Sequence, residues 1–196
     1  SVSGEGFSVG FEPESGFIRS YCLRSVELLA GPLRPNFYRA ATDNDLGVRQ
    51  TGKYPDSRMW ATAEPQLVGF VLTAGDSEAE AVADYTIPAV GARLRLTYTI
   101  FADGSVRVSE AMTADPARKD VAELMRFGMA FETPEMFDAV EYYGRGPMEN
   151  YADRAGAAFV GRYTQCVADQ FHMKYASPQE SGTRGGLRWW RLTDPT

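Results

Sequence analysis

The sequence predicts an all-β fold, and three observations carry that reading. Apolar and polar residues alternate in several separate runs, and no run shows a sustained 3.6-residue apolar stripe. In addition, 19 glycines and 11 prolines punctuate the 196 residues at the intervals of a sheet protein.

In chain order, QLVGFVLT at 66–73 is a β-rich run interrupted by Gly69. EAEAVADY at 78–85 alternates, and ARLRLTYTI at 92–100 alternates most regularly, with apolar side chains at the even positions. Asp103-Gly104 tolerates positive φ and precedes a further alternating run, VRVS at 106–109, so the two runs form a hairpin. MRFGMAF at 125–131 repeats the same period, and AVEYY at 139–143 is strand-like. Two segments, 42–58 and 144–186, are polar and rich in Gly and Pro and read as irregular loops, where function would sit. No repeat, low-complexity tract or linker divides the chain, so a single domain is expected over 1–196.

A chain of this length buries roughly 70% of its unfolded surface on folding, and 44% apolar with 12% aromatic content supplies the core. Twenty Lys and Arg against 26 Asp and Glu leave a net charge of −6, the wrong sign for a binder of phosphate backbones. Nucleic acid is therefore not an expected partner. No run approaches the ~20 apolar residues that span a bilayer, so no membrane is expected either. SVSGEGFSVGFEPESG at 1–16 has neither the basic nor the apolar region of a signal segment, and the compartment is left open between cytoplasm and periplasm. Cys22 and Cys166 stand far apart in no metal or redox spacing and are expected to be free, buried thiols. With His172 as its one histidine, the chain cannot assemble a His-rich metal site.

Three segments could carry chemistry. The first, RPNFYRAATDNDLG at 34–47, brackets aromatics with arginines and ends on an acid-amide cluster. Asp43, Asn44 and Asp45 could present fixed donors and acceptors to ligand hydroxyls while Gly47 frees the following segment, or the same side chains could cap a turn and pair with Arg39. A calcium loop is excluded, because glycine and the closing glutamate are out of register, with Tyr54 at the last position. The second, GRGPMENYADR at 144–154, lacks a phosphate-loop pattern, and Pro147 removes a donor where a phosphate nest needs one. It offers Glu149, Asn150, Tyr151, Asp153 and Arg154, a mixture suited to sugar hydroxyls and equally to pinning a loop. The third, 172–190, gathers His172, Tyr175, Gln179, Glu180, Arg184, Trp189 and Trp190, aromatic faces with amides and carboxylates, which is the chain's richest vocabulary for carbohydrate and equally the content of an inter-sheet core.

In this order and spacing the three segments resemble the C-terminal (domain 5, small-chain) region of the large bacterial β-galactosidases of glycoside hydrolase family 2. Arg39-Ala40-Ala41-Thr42-Asp43-Asn44-Asp45-x-Gly47 is close to the family's R-A-P-x-D-N-D-x-G, with Ala41 where proline is usual. Gly144-x-Gly146-Pro147-x-Glu149-Asn150-Tyr151-x-Asp153-Arg154 and Pro178-x-Glu180-x-Gly182-x-Arg184 follow. The resemblance covers essentially the whole chain and implies a large antiparallel two-sheet sandwich, a supersandwich of galactose mutarotase type, as a single β-sandwich domain over 1–196. It implies that the domain continues past residue 196 through further strands, so that the sandwich given is truncated at its C-terminal side.

Retention at a glycosidic centre needs two carboxylates about 5 to 5.5 Å apart, which the family draws from a separate (β/α)₈ barrel whose pattern this chain lacks. The resemblance thus implies a non-catalytic domain of an enzyme hydrolysing terminal β-D-galactosides, with no catalytic residue and no metal ligand in this chain. Magnesium and sodium belong, on the same ground, to other parts of the parent enzyme. The implied partners are the remaining parent domains, a galactoside substrate and further copies of the parent in a homo-oligomer. The segment after D-N-D-x-G is implied to be a mobile loop at the active-site mouth, here Gly47, Arg49, Gln50, Lys53 and Tyr54. Two rival readings remain. One is a carbohydrate-binding module; the other is a mutarotase-like aldose epimerase with His172 as acid and Glu180 or Glu149 as base.

Overall fold

The computed structural model describes residues 1–196 apart from Thr51, Met173 and Thr196, and for Val48, Arg49 and Gln50 the backbone alone. The chain is all-β, and its backbone contacts group it into two units, Ser1–Arg39 with Arg49–Pro134 and Ala40–Val48 with Glu135–Thr196.

The first unit is an antiparallel sandwich. One sheet is a meander of β1 (Val2–Gly4), β2 (Phe7–Phe11), β3 (Ile18–Leu23) and β4 (Val26–Glu27). The short strand β5 (Arg34–Asn36) pairs with β10 (Gly128–Ala130). The other large sheet runs β6 (Gln66–Ala74), β7 (Glu78–Ile87), β8 (Ala92–Phe101) and β9 (Val106–Ala114) in sequence order. Its alternation is the one read from the sequence. Ala79, Ala81, Ala83, Tyr85 and Ile87 on β7 and Leu94, Leu96, Tyr98 and Ile100 on β8 are buried, and the intervening residues face out. Opposite them lie Phe7, Val9 and Ile18, and Phe11 meets the Tyr98 ring edge-on at 5.5 Å. Arg95 on the outer face grips Asp84 of the neighbouring strand through two bonds of 2.7 and 2.9 Å.

The predicted hairpin forms. Gly104 takes φ +85, where Asp103-Gly104 was expected to turn the chain, and a Cβ there would come within 3.1 Å of the Phe7 ring. The Tyr21 hydroxyl donates to the Gly104 carbonyl at 2.6 Å and ties this tip to the facing sheet.

In the second unit β11 (Ala139–Gly146) is the centre of a three-stranded antiparallel sheet between β12 (Phe159–Cys166) and β13 (Trp189–Thr193). Glu141 on β11 is buried between Arg162 of β12 and Arg191 of β13, both of which form ion pairs with it. The segment 144–186 is therefore not irregular throughout, since it contains the end of β11 and all of β12. Glycines at 144, 146 and 161 dilute the β pattern in the sequence, while inter-strand hydrogen bonds need only backbone. The segment 42–58 likewise contains an α-helix, α1 (Asp43–Gln50), and the start of a 3₁₀ turn at Ser57–Thr62. By contrast, the alternating run 125–131 yields only the three residues of β10. Both cysteines are free and half-buried rather than buried, and the Cys22 thiol donates to Glu27 at 3.3 Å. Among the described residues no helix is long and apolar enough to cross a membrane.

One inward group breaks the apolar pattern. Glu110 on the edge strand β9 stands opposite Leu96 in register, and its Oε1 and the Tyr98 hydroxyl are buried with no hydrogen-bond partner among the described residues. Burial pushes the Glu110 carboxyl up to about 7. Because the folded pKa lies above the unfolded one, the folded chain holds the extra proton between about pH 4.5 and 7, and this residue costs stability progressively as pH rises through that window. Glu110→Gln should therefore raise the melting temperature at pH 8, by roughly 1 to 2 kcal/mol of stability once partial solvation is allowed for. It should leave stability nearly unchanged at pH 4. Thermal melts of both proteins across pH 4–8 check this, and parallel curves would remove Glu110 as the source.

Candidate functional site

The second unit brings the three sequence motifs together. Helix α1 begins because Thr42 and Asp45 cap each other. The Thr42 N–H and hydroxyl donate to Asp45 Oδ2 at 2.7 and 2.8 Å, and Leu46 N–H closes the first turn on the Thr42 carbonyl at 3.0 Å. Asp43 and Asp45 also place negative charge in the first turn, where the helix dipole favours it.

Asp45 thus serves the helix end, while its neighbours reach across the unit. Asn44 Nδ2 donates to Asp153 Oδ2 at 3.1 Å, and Gln179 Nε2 donates to Asp43 Oδ2 at 3.1 Å. One helix start is thereby clasped to the second and third motifs at once.

Glu149 is the hub of the second motif. Its side chain is almost buried beside the more open Arg154, whose guanidinium donates to Oε1 at 2.5 Å. The Tyr175 hydroxyl donates to the same oxygen and accepts from Arg154, and the Gly182 N–H donates to Oε2 at 2.7 Å. Burial pushes the Glu149 carboxyl up. The bonds from Tyr175 and Gly182 and the charges of Arg154 and His172 outweigh it and hold the group below the usual carboxylate range. Arg154 also lies over the Tyr151 ring, 4.7 Å from its centroid.

Asn150, 2% exposed, works on the backbone. Its Nδ2 donates to the Arg145 carbonyl at 3.2 Å, its Oδ1 accepts from the Gly185 N–H at 3.0 Å, and its own N–H donates to the Thr183 carbonyl at 2.8 Å. The Gly182 position at φ +86 admits no side chain, because a Cβ would collide with the Gln170 carbonyl. These contacts fasten 182–185 to 145–150.

A family model described as the beta galactosidase small chain matches residues 3–196. The chain belongs to that family. The β-galactosidase of Priestia megaterium is 33% identical over 202 residues, which take in 99% of this chain and 18% of that protein. That of Halalkalibacterium halodurans is 32% identical over 197 residues, 98% of this chain and 19% of the relative. That of Vibrio cholerae is 33% identical over 191 residues, 91% of this chain and 18% of the relative. The chain thus spans less than one fifth of the length of these curated relatives.

The small-chain motif residues fall into two sets. Asp43, Asn44, Asp45, Glu149, Asn150, Asp153 and Arg154 are each hydrogen-bonded within the second unit, around the start of α1, around Glu149 and around Asn150, and Arg184 donates to the Gly182 carbonyl at 3.3 Å. Arg39 falls in the first unit, and Glu180 is half-buried in the second. Of the expected loop, Gly47 sits inside α1 in helical conformation, where a Cβ would meet open space, and the helix backbone runs on through Arg49 and Gln50. The Arg49 and Gln50 side chains lie outside the described residues. Lys53 is exposed and Tyr54 is 66% exposed, and Gly52 takes φ +64, in the left-handed region.

Tyr175 and Gln179, both in the cluster read at 172–190, supply bonds to Glu149 and Asp43. Gln179 lies inside the third motif, but Tyr175 has no local pattern that marks it. Among the described residues no three His, Cys, Asp or Glu side chains come together as a metal cluster.

Since the folded pKa of Glu149 is depressed, its contribution is present above the unfolded carboxylate range and is lost as pH falls through the folded value. Glu149→Gln should lower stability by about 1 to 3 kcal/mol at pH 7, the usual worth of bonds to a charged, nearly buried group. That difference should shrink as the wild-type carboxyl is protonated. Chemical unfolding of both proteins at pH 7 and pH 3 reads it directly, and an unchanged midpoint at pH 7 contradicts the role given to Glu149.

Proposed function

We propose that this chain is a non-catalytic part of a β-galactosidase that hydrolyses terminal β-D-galactosides with retention, shaping the mouth of an active site whose carboxylates lie elsewhere in the parent protein. The observation that carries the reading is the internal bonding of the motif carboxylates, above all Glu149. Both oxygens of Glu149 are taken by Tyr175, Arg154 and the Gly182 N–H. Asp45 caps a helix, and Asp43 and Asp153 accept from Gln179 and Asn44. An acid/base needs a proton to exchange, and a nucleophile needs a free lone pair aimed at the anomeric carbon. A carboxylate held ionised by internal donors, as Glu149 is, supplies neither, but it does fix a scaffold. The match to less than one fifth of the relatives' length supports the same division of labour.

On this reading α1, clasped at its N-terminal end, presents the segment from Arg49 to Tyr54 toward the leaving-group sugar. Magnesium and sodium, where the parent uses them, bind its other parts. The parent acts with its remaining domains and assembles as a homo-oligomer. An aldose epimerase acting through Glu149 would need that carboxylate as a free base, and its bonding argues against this.

One observation favours a second role, direct sugar binding. Phe171, Trp189 and Trp190 are large exposed aromatics in the second unit, of the kind that stack on pyranose faces.

Two measurements test these statements. The full-length protein should hydrolyse a chromogenic β-galactoside while the 196-residue chain alone shows no turnover, and turnover by the chain alone would overturn the non-catalytic assignment. In the full-length protein, Arg49→Ala and Lys53→Ala should each alter KM for lactose by about 3- to 10-fold, the scale of one hydrogen bond. Unchanged hydrolysis and transgalactosylation in both variants would remove the segment from the substrate. Calorimetric titration of the isolated chain with millimolar galactose and lactose decides the second role, since saturable binding without turnover selects it.

A further inference from the structure

The second unit holds a pocket of about 260 Å³, below the roughly 300–1,000 Å³ of sites for drug-sized ligands and so matched to one small ring. Gln165, Asp169, Gln170, Phe171, His172 and Arg184 line it among others. They come from the end of β12, from the 3₁₀ turn Val167–Gln170 with the two residues after it, and from the third motif. Arg184 is half-buried, and its guanidinium makes one bond among the described residues, to the Gly182 carbonyl at 3.3 Å. Its Nε is buried there with no hydrogen-bond partner. A half-buried cation this poorly paired is unusual, because donors taken from water without an acceptor cost stability.

The other lining groups keep hydrogen-bonding capacity of both kinds. Gln170 Nε2 donates to Gln165 Oε1 at 3.1 Å and to the Cys166 carbonyl at 3.3 Å. That arrangement leaves Gln165 Nε2 as a donor and Gln170 Oε1 as an acceptor without protein partners among the described residues. Asp169 accepts the Cys166 N–H through Oδ2 at 3.1 Å, and its bonds from Cys166 hold it below the usual carboxylate range, so it is a further acceptor. The Phe171 ring is 63% exposed, and His172 stands edge-on to Tyr175 at 4.9 Å. Glu149 also borders the pocket, but its oxygens are committed and Arg154 balances its charge. Asp169 and Arg184 balance in turn, so a bound anion meets the one and a bound cation the other.

We infer that this pocket binds one neutral monosaccharide ring. Sugar hydroxyls accept from Arg184 and Gln165 and donate to Asp169 and Gln170, while the C–H face of the ring covers Phe171. A carboxylate or phosphate satisfies Arg184 alone and brings its charge to Asp169. An apolar ligand buries these donors and acceptors unpaired. The inference rests on the direct sugar binding raised above and deepens it by giving that role a seat. Trp189 and Trp190 are not among the residues that line this pocket.

Hydrogen exchange of the full-length protein, with D-galactose and D-glucose added separately, tests the inference. For at least one sugar, amides within 165–172 and 182–185 should slow about 10-fold at about ten times its dissociation constant. Phe171→Ala and Arg184→Gln should each raise the concentration for half-maximal protection by at least about 10-fold. Phe171 is exposed, so its variant should melt within about 2 °C of the wild type, which separates lost binding from lost folding. No protection of these segments at about 100 mM of either sugar, enough to saturate a millimolar site, overturns the inference. Protection that survives both variants overturns it too, and if Trp190→Ala then removes the protection, sugar binding stands with a different seat. Galacturonate binding more than about 10-fold tighter than galactose overturns the neutral assignment. Absence of sugar-dependent protection throughout the second unit removes the sugar-binding role together with the seat. Galactoside hydrolysis is scored separately, so an inactive protein with a protected pocket removes the activity reading and leaves the seat.

Discussion

A nearly buried carboxylate must be surrounded by donors, and in the second unit that requirement organises the chain around Glu149. Donors arrive from three places: Arg154, five residues on; Tyr175; and the backbone of Gly182. Each brings its own segment with it. Asn150 performs the same service with an amide, tying 145–150 to 183–185 through main-chain bonds. Long irregular connections are ordinarily fixed by apolar burial, but here the fixing is polar. Such bonding is specific in geometry and intolerant of partial loss, since each lost partner leaves another group unsatisfied.

The first unit rests on a different constraint, the two-residue period of the pleat. β7 and β8 alternate so strictly that one face of each is shut off from water and the other bears Asp84, Arg93 and Arg95. Order in this unit comes from non-directional burial, with ring contacts such as Phe11 on Tyr98 joining the sheets. The chain thus combines an apolar sandwich with a hydrogen-bonded assembly, and its family motifs belong almost wholly to the second.

This division explains what could be read from the sequence. The runs at 78–85 and 92–100 declare themselves because pleat period and burial coincide. Helix α1 is eight residues long and polar, so it has no apolar stripe to detect, and its signal is the reciprocal Thr42–Asp45 cap. Strand β11 is legible at 139–143, but its last residues and all of β12 escape, because glycines 144, 146 and 161 interrupt the side-chain pattern while the backbone pairing that makes them strands leaves no trace in composition. Asp43, Asn44, Glu149 and Asp153 stand out as residues; that they satisfy one another does not, because the pairings span more than a hundred positions between Asn44 and Asp153. Tyr175 shows the same limit, since its partners Glu149 and Arg154 are distant in sequence.

The alanines of β7 have a consequence for how this sequence can change over time. Ala81 and Ala83 are fully shielded and sit in register beside Tyr98 and Leu96, so small side chains on one strand make room for large ones on the next. Neither member of such a couple is free to drift alone. Enlarging Ala81 crowds a space already filled by Tyr98, and shrinking Tyr98 opens a void that an alanine cannot fill, each at a cost of about 1 to 5 kcal/mol. A lineage can exchange the two sizes only by passing through one of those states or by changing both positions together. The pleat therefore acts as a ratchet on the sandwich, slowing divergence along β7 and β8 on their inward face, while outward positions other than the Asp84–Arg95 pair are under no such coupling.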